Sequence, residues 1–490
     1  MTTNVTIKSQ EKGFGNGISR NQALLTFGIV GLALIMSSID STIVAVSLPT
    51  ILDELKTNLA YLGWIITGYQ FSQCIMMPII GKLSDEWGRK QLFLTAVAVF
   101  TVSSIAAGFS PNIYSLIIFR IIQGAGAGAF FPSATGIISD SFGSKRGTAI
   151  GLFGSIFPIG GIIGPNIGGV IVDNLSWRWI FFVNIPIGVL LIILGLFILP
   201  RGKPVLSKHS VDYGGAGLFS GSVLAVLYAM TDWADNPQGD RILTWALFAV
   251  GAALLALFLR HERRVEQPLI NLDLLRRRPF AASNAYNFFF GAAVFGPSAF
   301  IPYYATLAYG MTAGESGIIL TPRSIAMIAV SAVTSIFIIR FRYRLPMILG
   351  AVIIALGFFL LSRGFHDVSF LGLGPPNLVL LALIVMLGGI GMGLANPASN
   401  NALLDLAPEK VAAVMGMRGM FRMTGGIFGT AVMVLALSHF DDKAIGLQQI
   451  VLFFAVILVL LIPVIFLIPD TARERRDRFD SGSEATTLTE

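Results

Sequence analysis

Charge is what this sequence has least of. Only 12% of its 490 residues are Asp, Glu, Lys or Arg, against about 25% in soluble domains. A water-facing surface cannot be built from half the usual charge. With 54% of residues hydrophobic, most of the outer surface must face hydrocarbon. Cysteine is almost missing too. The single Cys74 excludes an intrachain disulfide and a cysteine-based zinc cluster. Set in an apolar run, it reads as a small buried hydrophobe. The four histidines (His209, His261, His366 and His439) lie near loops or span ends without metal-ligand spacing. No nucleophile constellation and no phosphate-binding loop appears. The run Gly124-Ala-Gly126-Ala-Gly128 is no dinucleotide fingerprint, because it lies inside an apolar helix rather than after a strand. No metal and no cofactor is expected.

Long apolar runs, by contrast, are plentiful. A bilayer-crossing helix needs about 20 mostly apolar residues. Fourteen segments qualify, at roughly 24–48, 60–80, 92–109, 113–137, 147–172, 179–199, 213–231, 242–260, 280–307, 314–338, 346–364, 377–400, 412–437 and 447–468. Barrel strands would alternate over about ten residues instead. The first run is too long for a signal-peptide core and has no clear small-residue cleavage site, so it is expected to remain as a membrane helix. Alternate connecting segments carry 25 and five Lys and Arg, and four more arginines lie within spans. That asymmetry predicts that both termini are cytoplasmic. It also explains the net charge of +7 as topology, so no nucleic-acid partner is expected. Trp64, Trp177, Trp179, Trp233 and Trp245 sit near span ends, as an interfacial aromatic belt would place them.

The chain also repeats itself. Shifted by 265, residues 124–164 overlay 389–429 without a gap, and twelve of the 41 positions are identical. Ordinary residue frequencies would give roughly three. The matches include Gly124/Gly389, Gly126/Gly391, Gly128/Gly393, Pro132/Pro397, Asp140/Asp405, Lys145/Lys410 and Gly160/Gly425. Small residues for helix packing explain the glycines, but not the register of Pro, Asp and Lys. The displacement is eight spans, so six-helix halves leave two extra spans between them. The expected fold is an all-α polytopic membrane protein: two pseudo-symmetric six-helix bundles plus two inserted helices. Its divisions are a cytoplasmic tail at 1–21, a first bundle at 22–200, a two-helix insert with a basic linker at 201–279, a second bundle at 280–468 and a second tail at 469–490. Parallel six-helix repeats build one large class of secondary transporters, with the substrate between the halves.

Ionisable residues inside spans are costly and usually functional. Asp40 is the one acid well inside a span, a candidate proton carrier, since burial raises a carboxyl pKa and a nearby cation lowers it. Arg120, Arg418, Arg422 and Arg323 are the cations. Arginine stays charged, so these tune a carboxylate or meet an anionic group. Arg418 and Arg422 are four apart and share a helix face. Phe288, Phe289, Tyr303 and Tyr304 read as packing residues rather than cavity lining.

These motifs resemble, in order, those of the major facilitator superfamily, and within it the fourteen-helix drug:proton antiporters. Asp40-Ser-Thr-Ile-Val-Ala45-Val-Ser-Leu-Pro49 is similar to the span 1 motif, with Ala45 in place of the usual Asn. Gly81-Lys-Leu-Ser-Asp85-Glu-Trp-Gly88-Arg89-Lys90 resembles the loop 2–3 motif, with Glu86 in place of a usual basic residue. Arg120-Ile-Ile-Gln-Gly124 resembles the span 4 motif. Gly160-Gly-Ile-Ile-Gly164-Pro165-Asn-Ile-Gly168-Gly169 resembles the span 5 antiport motif. Trp177-Arg-Trp-Ile-Phe-Phe-Val-Asn184-Ile-Pro186 and Arg422-Met-Thr-Gly425-Gly426 fit the same branch. The resemblance implies a proton-coupled exporter of amphipathic small molecules in the plasma membrane, a monomer surrounded by lipid, working by rocking of its halves. Asp40 and Arg120 would couple protons, and Arg418, Arg422 and Arg323 would serve substrate or coupling. Gly81, Asp85, Gly88 and Arg89 would form a cytoplasmic latch, with Asp85 capping a helix and pairing with Arg89. Gly160, Gly164, Pro165, Gly168 and Gly169 would pack against a helix of the second half. The excess of arginine over acid within spans leaves an anionic lipid or lipid-linked glycan as an alternative cargo. A membrane-embedded enzyme or sensor is disfavoured, because the tails are too short for an output domain.

Overall fold

The computed structural model describes residues 18–154, 156–200, 212–265, 268–367, 376–407 and 411–470. Among them every regular element is helical. The long helices are α1 (Arg20–Glu54), α2 (Leu59–Trp87), α3 (Arg89–Gly108), α4 (Ile113–Phe142), α5 (Phe157–Asn174), α6 (Trp179–Ile198) and α7 (Tyr213–Asp235). They continue with α8 (Ile242–Glu262), α9 (Arg278–Tyr309), α10 (Ala313–Ile338), α11 (Arg344–Ser362), α12 (Asn377–Asp405), α13 (Val411–Ser438) and α14 (Lys443–Phe466). A short helix, Arg146–Gly154, precedes α5.

Twelve of these helices are long and apolar enough to cross a membrane; α2 and α5 are not among them. The sequence had predicted fourteen. Both exceptions are diluted by polar or small residues. α2 carries Thr67, Gln70, Ser72 and Gln73, and α5 carries five glycines, two prolines and Asn166. The lipid-facing surface is as apolar as composition demands, with Phe197 84% and Ile336 73% exposed. One tryptophan departs from the expected belt. Trp177 is fully buried and donates its Nε1–H to Glu54 Oε2 at 2.8 Å. It clamps the α1 end to the start of α6, with the Arg178 guanidinium 4.4 Å from its ring centroid. Trp179 and Trp245 remain half exposed.

Polar side chains at the connecting loops start the helices. Asn58, Asn112, Asp212 and Asp442 each accept a hydrogen bond from a backbone N–H of the first turn. Thr312 and Glu315 form a reciprocal capping box at the start of α10. Gly88, at φ 93°, ends α2 and starts α3 in a backbone conformation that favours glycine. α9 breaks at Phe300, next to Pro297 and Pro302, and α14 breaks at Leu461, before Pro463.

The internal repeat has a geometric counterpart. A Cβ at Gly124 would strike the Tyr69 backbone of α2, and one at Gly126 would meet the Ala96 carbonyl of α3 at 2.9 Å. Their partners behave alike: Gly389 abuts the Arg323 backbone of α10, and Gly391 the Gly350 carbonyl of α11 at 2.6 Å. Thus α4 lies against α2 and α3 as α12 lies against α10 and α11. Likewise Gly160 and Gly164 rest on α1, while Gly425 and Gly429 rest on α9. Helix backbones touch at these points because no side chain intervenes.

These contacts predict a contrast. Gly124→Ala and Gly389→Ala each push a methyl into a neighbouring backbone and should cost about 1–3 kcal/mol, as overpacking does. Gly416→Ala, where a Cβ meets nothing within 4 Å, should leave the melting temperature in detergent unchanged or raised. Equal melting temperatures for all three variants would refute the close-approach assignment.

Candidate functional site

Asp40 sits in the middle of α1 and is wholly buried. A carboxylate there requires partners, and two helices supply them. Arg120 of α4 donates from Nη1 to Asp40 Oδ2 at 2.6 Å. Gln123, one turn further along α4, donates to Oδ1 at 2.7 Å. Asn184 of α6 donates to the same oxygen at 2.8 Å and to Ser104 Oγ of α3 at 3.0 Å. Arg120 also donates to the Ile65 carbonyl of α2 at 3.2 Å and to Gln123 Oε1 at 2.8 Å. Its guanidinium lies 4.1 Å from the Tyr69 ring centroid, a cation–π contact strengthened by exclusion of water. Tyr69 in turn shares a hydrogen bond with Ser37 of α1 at 3.3 Å.

Asp40 and Arg120, paired by the sequence reading, are therefore in direct contact. Gln123, Asn184, Tyr69 and Ser104 received no role from the sequence. The signal for the first two was present: a glutamine three residues after an intramembrane arginine, and an asparagine in an otherwise apolar run.

The second half is built differently. Arg323 donates to Ser298 Oγ at 2.9 Å and approaches Met392 Sδ at 3.8 Å. Arg422 is held between two rings of α9, 5.2 Å from the centroids of both Phe290 and Phe295. Arg418 is only 8% exposed, and its Nε and Nη2 have no hydrogen-bond partner. Among the described residues, no carboxylate forms an ion pair with any of these three. Tyr303 and Tyr304 are buried, the latter accepting from Gln448 Nε2 at 3.0 Å, whereas Phe289 is half exposed.

At the loop 2–3 motif, Arg89 donates to the Gly136 carbonyl and forms an ion pair with Asp140 of α4, both at 2.7 Å. Lys90 reaches the Leu196 and Leu199 carbonyls at the end of α6, at 2.7 and 2.9 Å. A Cβ at Gly81 would meet nothing within 4 Å. The Asp85 side chain, expected to pair with Arg89, lies outside the described residues.

The glycine-rich face of α5 departs from expectation. Gly160, Gly164 and Gly168 do not meet the second half. They pack on α1, where a Cβ would collide with Ser38, Thr42 and Ile43. Ser38 Oγ donates to the Phe157 carbonyl at 2.6 Å and Thr42 Oγ1 to the Gly160 carbonyl at 3.2 Å. The adjacent strip, one residue on, faces the second half. Gly169 touches the Ala313 and Gly314 backbone, and the Pro165 carbonyl lies against Gly317. Ser324 Oγ donates to the Gly161 carbonyl at 3.0 Å, and Asn166 Nδ2 to Thr321 Oγ1 at 2.6 Å. The Asp173 carboxylate accepts from the N–H groups of Ala313 (3.0 Å) and Gly314 (2.7 Å), a favourable setting for an anion. Successive residues are 100° apart on a helix, so two neighbouring strips of period four contact two different helices.

The sequence model described as Major Facilitator Superfamily matches residues 30–259 and 284–489. The chain is 32% identical over 438 residues to multidrug resistance protein 3 of Bacillus subtilis (strain 168), covering 87% of this chain and 83% of that protein. It is 31% identical over 422 residues to the multidrug transporter protein MdtP of the same organism, covering 85% and 75%. A crystal structure of a variant of the nucleoside transporter NupG superposes with a TM-score of 0.66 at 15% identity, over 91% of this chain and all of that one. At that identity the likeness is one of fold.

Breaking the central pair should be expensive. Arg120→Met leaves Asp40 buried without its cation and should lower stability by about 3–5 kcal/mol. The double variant Asp40→Leu/Arg120→Met should recover most of that loss in thermal unfolding in detergent. A double variant no more stable than the single one would rule out charge pairing as the source of the loss.

Proposed function

The chain belongs to the Major Facilitator Superfamily, and on that premise we propose that it is a proton-coupled exporter of amphipathic small molecules. It spans the plasma membrane fourteen times, as a monomer with both termini cytoplasmic, and the proton gradient is its energy source. Two six-helix halves rock about a central substrate site, and α7 and α8 are inserted between them. The multidrug transporters among its relatives support the cargo class. The coupling is carried by one observation: the acid buried in α1 is bound by donors from α4 and α6, with α2 and α3 holding those donors.

The proton acts on that geometry as follows. While ionised, Asp40 holds α1 to α4 through Arg120 and Gln123, and to α6 through Asn184. A proton on Asp40 removes the counter-charge of Arg120, which keeps Gln123 Oε1, the Ile65 carbonyl and the Tyr69 face as partners. α1 is then released from α4. Because Ser38 and Thr42 flank Asp40 and bond to α5, a shift of α1 carries α5 with it. The other strip of α5 grips α10 through Gly161, Asn166 and Asp173. Protonation at Asp40 thus loosens a contact between the halves by way of two glycine-lined helix faces. That contact lies at the end of the bundle holding loops 55–58 and 310–312, which the positive-inside distribution assigns to the exterior.

Transport provides the direct test. Proteoliposomes with an acidic lumen should release protons when ethidium or the zwitterion norfloxacin is added. Asp40→Asn should abolish the response while still binding substrate. Failure of every amphipath to move protons in folded wild-type protein would overturn the reading.

The exterior contact is testable through the lone cysteine. In a Cys74→Ala background, Thr321→Cys sits beneath the α5–α10 contact. Adding Asp173→Ala should speed its labelling by a water-soluble maleimide several-fold. An unchanged rate would mean that Asp173 does not hold that end shut.

A further inference from the structure

The second half holds two neighbouring cations that nothing in the protein neutralises among the described residues. Arg418 is more than nine-tenths buried, with two unpartnered guanidinium nitrogens. Arg422 follows one turn later, its guanidinium 5.2 Å from the ring centroids of Phe290 and Phe295. Like charges four apart on a helix repel, and a buried unpaired cation is costly. Tyr286 of α9 lies within electrostatic reach of both, 1% exposed, and its hydroxyl has no partner. Its ring stacks on Phe290 at 5.4 Å. On α13 a Cβ at Gly416 or Gly419 would meet nothing within 4 Å, so that helix is not packed closely all round. The first half answers its buried arginine with Asp40. The second half has the cations, a spare hydroxyl donor and an aromatic wall, with no carboxylate paired to those cations among the described residues.

We propose that Arg418, Arg422 and Tyr286 are the subsite for an anionic group of the substrate, a carboxylate, sulfonate or phosphate on an aromatic amphipath. Two guanidiniums and a phenol can share its oxygens, and the aromatic body lies against Phe290 and Phe295. The inference rests on the export reading for its biological meaning. It names the preferred cargo as organic anions and zwitterions, with simple lipophilic cations the poorer substrates.

Equilibrium dialysis of the protein in phosphatidylcholine nanodiscs tests it without protons or transport. The probes are tritiated 2-naphthoate and its neutral carboxamide. 2-Naphthoate should bind wild type at least ten-fold more tightly than the amide. Arg418→Gln and Arg422→Gln should abolish that preference, Arg418→Lys should keep part of it, and Asp40→Asn should leave it intact. Apo Arg418→Gln should melt no lower than wild type, because it removes an unpaired buried charge, and it should lose the stabilisation that 2-naphthoate gives. Equal affinity for acid and amide, no binding of either, or naphthoate binding unchanged in both glutamine variants would overturn the assignment. Lower apo stability of Arg418→Gln without loss of the preference would do so too, by making the arginine structural. Weaker naphthoate binding in phosphatidylglycerol discs would support the subsite with a lipid phosphate as its occupant, and equal binding in both discs would support it with a soluble organic anion. Proton coupling can fail in proteoliposomes while this preference holds, so the two readings fall separately.

Discussion

A charge surrounded by hydrocarbon cannot be left alone, and the first half of this protein is organised around that constraint. Asp40 and Arg120 satisfy each other only because α1 and α4 approach within ion-pair distance. That approach in turn needs α2 and α4 to touch through Gly124 and Gly128, and α1 and α5 to touch through Gly160, Gly164 and Gly168. Polar chemistry at the centre and glycine packing around it are one arrangement. A side chain at any of those glycines would push its helix against the neighbouring one. The remaining acceptor capacity of the carboxylate is taken by amides from α4 and α6. The acid is thus held in the core as a junction between helices.

The second half repeats the packing without repeating the charge. Gly389, Gly391, Gly425 and Gly429 make the same backbone contacts as their counterparts, while Val385 stands where the first half has Arg120. The cations sit elsewhere, on α10 and α13. Two bundles with one scaffold have divided the electrostatics: a neutralised pair on one side and unanswered guanidiniums on the other. The scaffold is nearly symmetric, and the charge placed on it is not.

The helices, the duplication and the positions of the intramembrane charges were legible in the sequence because each rests on a strong local signal: length of apolar run, gapless register, rarity of charge. Two things were not. Which strip of α5 meets which neighbour depends on helix rotation, and glycines at 160, 164 and 168 look the same whether α1 or α10 lies against them. The roles of Gln123 and Asn184 depend on a convergence of α4 and α6 on α1 that no local pattern encodes. Trp177 shows the same limit. Proximity to a span end suggested an interface, but its burial follows from Glu54, far away in the chain. Apolar length alone gave fourteen spans and did not set α2 and α5 apart from the other twelve.

The two halves meet along two seams, α5 against α10 and α2 against α13. Among the described residues only the second is covered by a further helix. α7 lies over it, with Val223 and Leu227 packed among Phe71 and Cys74 of α2 and Met417 and Met420 of α13. Trp64 of α2 donates to Thr231 of α7 at 2.7 Å, and Asn58 and Tyr61 reach Asp235. α8 leans on α7 from outside. The extra pair is therefore a splint across one side of the molecule. The seam at α5 and α10 carries no such splint among the described residues, so a nearly two-fold scaffold is braced on one side only.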